Sequence, residues 1–398
     1  MVSKKRILFH IATVGLFLMC GNFAHPITPT LIVERNLDPS MFGVAMAGLS
    51  VTTFLFSPFW GTLCSYLPTR VIMAISAFGY AIGQAIFGCA VNEVMIVGGR
   101  MISGVFAGGL FTSYANYIIN VTPDPKERSQ YLTMMLTTQT VGSAIGYFIG
   151  GMLGVISIWA AVVPQVAVAI LCAVLHFVIC IDDTPYKAKP QKALSLRDAN
   201  PFSSFASAKK FTTPLLAMIF AVTAVAAIGQ TSYEQCFNYV IKDEFGLSSA
   251  YNGTFKAAIA VLTVLVNSTI CVYLQKKTDI NITFLPVFVS GALLLGAAVF
   301  LRGSLIPFAA VYILWNAVNA LRGPLVQSIV AGRAASEHSN QVMGFYQAMN
   351  SLGGIFGALF AGLIYESGHS YPFILAFAAF SVASLIGVGY IRMYKRER

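Results

Sequence analysis

Long apolar stretches alternate with short polar clusters from one end of the chain to the other. A helix needs about 20 apolar residues to cross a bilayer core of roughly 30 Å. By that measure the pattern predicts spans at 7 to 33, 41 to 66, 71 to 91, 94 to 120, 130 to 154, 157 to 180, 213 to 241, 250 to 274, 282 to 301, 305 to 331, 341 to 366 and 371 to 394. From Ser129 to Ile181 no Asp, Glu, Lys or Arg occurs, which leaves room for two such helices and a tight turn. Barrel strands are about 10 residues long and alternate in polarity, whereas these runs are longer and continuously apolar. The expectation is an all-α membrane protein of twelve transmembrane helices.

The longest polar interruption, Asp182 to Thr212, holds Pro185, Pro190, Pro201 and six Lys/Arg. It divides the chain into an N-terminal bundle at 1–180, a linker at 181–212 and a C-terminal bundle at 213–398. Glycines recur across that division: Gly142, Gly146 and Gly151 match Gly353, Gly357 and Gly362 at an offset of 211. Glu34, Leu37, Gly43 and Thr53 match Glu244, Leu247, Gly253 and Thr263 at 210. Two offsets agreeing within one residue indicate an internal repeat. The bundles are therefore expected to be pseudo-symmetric six-helix units, an architecture that places a solute site near the bilayer midplane between them.

Composition agrees, with 57% hydrophobic and 10% charged residues and a mean hydropathy of +0.74. The net charge of +10 would suit nucleic acid if it were gathered in one patch. Instead Lys4, Lys5, Arg6, Arg70, Lys126, Arg128, the cations from Lys187 to Lys210, Lys276, Lys277, Arg333 and Arg392 onward all fall in segments on one side of the membrane. The positive-inside rule then puts both termini in the cytoplasm of a multi-pass cell-membrane protein, with the lipid bilayer and not nucleic acid as its partner. The seven cysteines form no C-x-x-C, and the five histidines form no H-x-x-x-H or H-E-x-x-H. Cysteine packing and no metal site are expected. The longest loop carries no nucleophile–base constellation, so no enzyme is expected. Nor does a G-x-x-x-x-G-K-[ST] phosphate loop occur, so a proton gradient rather than a bound cofactor is the expected energy source.

Several local patterns point to one family. They are Ala24-His25-Pro26-Ile27-Thr28-Pro29, Ser57-Pro58-Phe59-Trp60-Gly61, the Arg100, Gly104, Gly108 spacing, the glycines Gly142, Gly146, Gly150 and Gly151, Ser232-Tyr233-Glu234, and Asn319-Ala320-Leu321-Arg322-Gly323-Pro324. Together they resemble the major facilitator superfamily over essentially the whole chain, and within it the twelve-helix drug:proton antiporters that include the quinolone exporters. Departures are equally specific. Thr112 and Tyr147 stand where that pattern has proline, Ser65 where the loop after the second span has an acid, and Asn319 where an exporter pattern has a second acid. The resemblance implies proton-coupled export of small amphipathic or cationic compounds by alternating access. The alternative is a proton symporter or facilitator taking up a small polar solute.

Glu234 is the acidic residue lying well inside a span. An ionised carboxylate at the bilayer centre costs about 2.5–3.5 kcal/mol on insertion scales, so it persists only beside water or a partner. Glu234 is the first candidate for proton coupling, joined by Arg322, by His25 as a titratable side chain in the first span, and by Arg100, whose counterpart in the family is implicated in proton handling. Counting about 1.5 Å per residue places Glu234 about 10 Å deep and Arg322 about 25 Å deep, too far apart for direct contact along straight helices. Asn22, Gln139, Tyr147, Gln230, Tyr233, Phe237, Asn316, Asn319, Tyr346 and Asn350 supply the polar and aromatic surface expected to bind a small-molecule substrate. A cavity enclosed by one chain's two halves predicts a working monomer.

Overall fold

The computed structural model describes residues 3–38, 41–188, 200–246, 249–365 and 367–397. Lys189, Pro190, Lys192 and Arg197 of the linker, and Leu247 of the repeat, lie outside them. Among the described residues the chain runs through α1 (Lys4–Gly21), α2 (Ala24–Glu34), α3 (Met41–Tyr66), α4 (Thr69–Gly88), α5 (Glu93–Val121), α6 (Pro125–Ile156), α7 (Ile158–Ile179), α8 (Pro201–Ser207), α9 (Pro214–Asp243), α10 (Ser249–Val266), α11 (Val272–Lys277), α12 (Ile280–Leu301), α13 (Leu305–Arg333), α14 (Ser339–Tyr365) and α15 (Tyr371–Glu397). Twelve of the described stretches are long and apolar enough to cross a membrane.

The helix ends follow from local chemistry. Asn92, Asp124, Ser157 and Thr213 each accept a backbone N–H from the first turn of α5, α6, α7 and α9, and Pro125 and Pro214 open α6 and α9. Two expected spans are not single helices. The first breaks at Asn22 and Phe23, because Pro26 has no N–H to give the Asn22 carbonyl four residues back. The eighth is interrupted by a π turn at Asn267–Cys271 between α10 and α11. Bulges of this kind let a helix turn its face locally.

The helices divide into two compact units, Met1–Phe211 with Ala334–Ala348, and Thr212–Arg333 with Met349–Arg398. In the first, α5 packs against α3 and α4, α4 against α7, and α1 against α6. The start of α14 belongs to this unit: Asn340 Nδ2 donates to Cys64 O at 3.2 Å, and its own carbonyl accepts from Asn116 Nδ2 at 3.1 Å. In the second, α15 packs against α9 and α12, and α13 against α12 and α10.

Glycine seams run through both units. A Cβ on Gly142 would overlap the Gly15 carbonyl, and one on Gly146 the Met19 carbonyl. Gly353 and Gly357 stand in the same way against the carbonyls of Ala224 and Ile228. Equivalent glycines thus hold the equivalent helix pairs α6–α1 and α14–α9 at backbone contact, the close approach that small residues allow. The third member differs from the expected match: Gly150 backs onto Phe23, whereas Gly151 has nothing within 4 Å of its would-be Cβ. Gly146→Ala and Gly353→Ala are each expected to lower unfolding stability in detergent by about 1–3 kcal/mol through overpacking, with Gly151→Ala near wild type as the control. Equal melting of all three would show that the helices separate freely to admit a methyl group.

The linker's first residues fold onto the first unit. Asp183 is fully buried and accepts from Thr69 N at 2.7 Å, from Thr69 Oγ1, and from Asn120 Nδ2 at 2.8 Å. Lys187 Nζ lies 3.1 Å from its carboxylate and donates to Leu67 O at 2.8 Å. Thr69 opens α4, so this acid caps the N-terminus of that helix.

Candidate functional site

The two units each carry a polar constellation built on a helix that begins the unit. In the second unit, Glu234 and Gln230 are one turn apart on α9, and Gln230 Nε2 donates to Glu234 Oε1 at 2.9 Å. The Gln230 carbonyl oxygen in turn accepts from Arg322 Nη2 on α13, and Arg322 Nε donates to Asn319 Oδ1 at 2.8 Å. The result is a continuous chain Glu234–Gln230–Arg322–Asn319. The depth difference read from the sequence is spanned by an amide: Gln230 sits one turn before Glu234 on α9 and links the acid to the guanidinium. Glu234 is half-buried and Arg322 is 8% exposed. The acid is thus joined to α13 through the Gln230 amide.

The aromatic candidates on α9 pack against rings of α13 and α15. Tyr233 and Phe237 are fully buried. Tyr233 packs edge-on to Trp315 at 4.8 Å and Phe373 at 5.7 Å, and Phe237 stacks on Tyr312 at 3.4 Å between ring centroids. Asn316 turns back to its own helix, donating to Tyr312 O at 2.9 Å. Tyr312, Asn316, Asn319 and Arg322 share a helical face; its N-terminal half, at Tyr312, is closed by ring packing, and Asn319 and Arg322 join the polar chain. Tyr233, Phe237 and Asn316, read from sequence as substrate-binding, are buried within this unit. Asn350 is half-buried on α14. A cavity of about 330 Å³ in the same unit is lined by Ile280, Asn281, Ser328, Ile329, Gly332 and Arg333, none of them in the chain at Glu234.

In the first unit the break between α1 and α2 is tied to α6. Asn22 Nδ2 donates to Leu18 O at 2.6 Å and to Ser143 Oγ at 3.2 Å. His25 stacks on Tyr147 with centroids 5.5 Å apart and planes 16° apart. Arg100 is fully buried on α5, its guanidinium 3.9 Å from the centroid of the Phe87 ring, and its Nη2 donates to Thr28 Oγ1 at 3.0 Å. Its Nε and Nη1 have no protein acceptor, and among the described residues no carboxylate pairs with it. Cation–π contact and one hydroxyl thus hold a buried charge. Gln139 is half-buried on α6, and Tyr346, at 6% exposure, lies in the part of α14 that belongs to this unit.

Sequence reasoning missed Thr28, Ser143 and Phe87. Thr28 lies one turn from Ala24 on α2, so its position beside His25 was a usable signal; Ser143 and Phe87 meet their partners only through packing. The described residues able to hold a metal ion are His10, His176 and Cys180, whose donor atoms lie within 4.8 Å of one another.

Residues 11–331 match a model of the Major Facilitator Superfamily. The chain is 21% identical to Multidrug resistance protein 2 of Bacillus subtilis over 100% of its own length and 97% of that protein's. It is 22% identical to the Quinolone resistance protein NorA of Staphylococcus aureus, over 100% of this chain and 98% of that one. Among solved structures, the human organic anion transporter MFSD10 (TETRAN) matches with a TM-score of 0.81 at 18% identity, covering 97% of this chain and 100% of the other.

Proposed function

Because the chain belongs to the Major Facilitator Superfamily, we propose that this transporter exports small amphipathic or cationic compounds in exchange for protons, by alternating access. The observation that carries the reading is the chain from Glu234 through Gln230 to Arg322, in which a half-buried, span-embedded acid is joined through an amide to a buried guanidinium. Charged, Glu234 attracts a cationic solute; protonated, it releases that solute and turns one acceptor into a donor, which repartitions the amide of Gln230 between the acid and Arg322. Proton and solute thereby compete for one group, and exchange follows. A membrane potential of 100 mV supplies about 2.3 kcal/mol per net charge moved, which at about 1.4 kcal/mol per decade sustains roughly a 40-fold gradient of a neutral solute exchanged for one proton; one-for-one exchange with a monovalent cation is electroneutral and draws on the pH gradient alone. The similarity to drug-resistance proteins supports export as the direction, and the Lys/Arg distribution supports cytoplasmic termini in a cell membrane. A monomer suffices for this scheme.

Inside-out vesicles with an acid interior are expected to accumulate a lipophilic fluorescent cation, and a protonophore is expected to release it. Accumulation that ignores the proton gradient, or runs only against this direction, would favour the uptake reading.

A second reading is favoured by Arg100, a buried guanidinium without a carboxylate partner among the described residues. It takes an organic anion as the solute. The same vesicles separate the two, since a fluorescent organic anion would then replace the cation as the accumulated species.

A further inference from the structure

His176 and Cys180 stand four residues apart at the end of α7, and His10 sits on α1, which packs against α7. An i, i+4 spacing puts two side chains on one helix face. All three residues are fully buried. Arg6 Nη1 donates to Ile179 O at 3.4 Å, so the cluster lies just inside the helix ends where α1 begins and α7 finishes.

The tautomer of His10 follows from its partner. Its Nε2 is 3.3 Å from Tyr114 O, and a carbonyl only accepts, so Nε2 carries the hydrogen and Nδ1 of the neutral ring bears the lone pair. That lone pair faces Cys180 Sγ, 3.6 Å away. A ring whose far nitrogen donates to a backbone carbonyl is oriented as metal-bound imidazoles are. With Zn–N near 2.0–2.1 Å and Zn–S near 2.3 Å, a tetrahedral ion requires an N···S edge of about 3.6 Å. Among the described residues both buried ring nitrogens of His176 have no hydrogen-bond partner, and its centroid is 5.5 Å from that of His10. Tyr114 and Tyr117 wall the cluster, with centroids 5.1 Å from His176 and 4.9 Å from His10.

We propose that His10 Nδ1, a ring nitrogen of His176 and Cys180 Sγ form a binding site for Zn(II), which joins α1 to α7 within the first unit. Binding makes two Zn–N bonds and one Zn–S bond, and the Cys180 thiol proton leaves to solvent. Water completes the tetrahedron. The donor set of two imidazoles and a thiolate selects a borderline-soft ion, and the lack of carboxylates in the cluster selects against magnesium and calcium.

Full-length protein, purified in detergent and stripped with a chelator, is titrated with Co(II) as a spectroscopic stand-in. Saturation at one equivalent is expected, with tetrahedral d–d bands and a thiolate-to-cobalt charge-transfer band that zinc abolishes. Cys180→Ser removes the charge-transfer band, His10→Gln and His176→Gln weaken binding at least about tenfold, and Cys236→Ser in the other unit changes nothing. X-ray absorption at the zinc edge of wild-type protein needs no variant and is expected to show one sulfur and two imidazoles. A sulfur-free shell, a charge-transfer band surviving in Cys180→Ser, or failure to retain zinc would overturn the site and leave an S–H···N hydrogen bond in its place.

Discussion

Glu234→Gln is expected to reduce proton-driven accumulation in vesicles to background and, because it mimics the protonated acid, to weaken equilibrium binding of a cationic solute by about tenfold or more, or 1.4 kcal/mol. Glutamine has the shape of the protonated acid and retains a hydrogen-bonding group for Gln230 Nε2, so the chain to Arg322 survives. What it cannot do is exchange a proton. Solute exchange down its own gradient should therefore persist in the variant, and Glu234→Asp, with the acid one methylene shorter, should keep a reduced but proton-dependent activity. Vesicle uptake driven by an imposed pH step, measured beside equilibrium binding, separates the two quantities. Accumulation by Glu234→Gln at the wild-type rate would move the coupling group elsewhere, with Arg100 and His25 next to be tested.

The second large effect concerns stability. Asp183→Ala is expected to cost about 3–5 kcal/mol, because it leaves the buried Lys187 ammonium without its carboxylate and the first N–H of α4 without its cap. The measurement is the unfolding transition in detergent by circular dichroism. Exposed ion pairs contribute about 0–1 kcal/mol, whereas these two side chains are 0% and 3% exposed, which decides between the estimates. Removing both charges together, as Asp183→Leu with Lys187→Met, is expected to recover much of the loss, since paired buried charges often exchange for apolar groups at little cost. A single substitution that costs under about 1 kcal/mol would mean that water reaches the pair.

The helices, and the pairing of equivalent ones, were legible because the bilayer imposes a length and an apolarity on each span. Gly142 and Gly353 were legible as repeats because backbone contact excludes every other residue at both places. For Tyr233 and Phe237 the sequence offers an aromatic surface on a polar-striped helix, and only packing shows that their rings lie against Trp315, Tyr312 and Phe373. His10 and His176 are 166 residues apart, so no local histidine spacing pairs them, and only the packing of α1 on α7 sets His10 beside the His176–Cys180 pair.

By itself, then, the sequence determined how many times this chain crosses the membrane, where its internal repeat falls and which carboxylate is embedded, since each of these is a one-dimensional property of polarity and spacing. The tertiary structure alone decided the partners. Gln230 stands between Glu234 and Arg322, Asp183 caps a helix begun 114 residues earlier, and Arg100 rests on Phe87 and Thr28. Buried polar groups in a low-dielectric interior must find partners of matching geometry, and which groups come within 3 Å is settled by how helices pack rather than by their order along the chain.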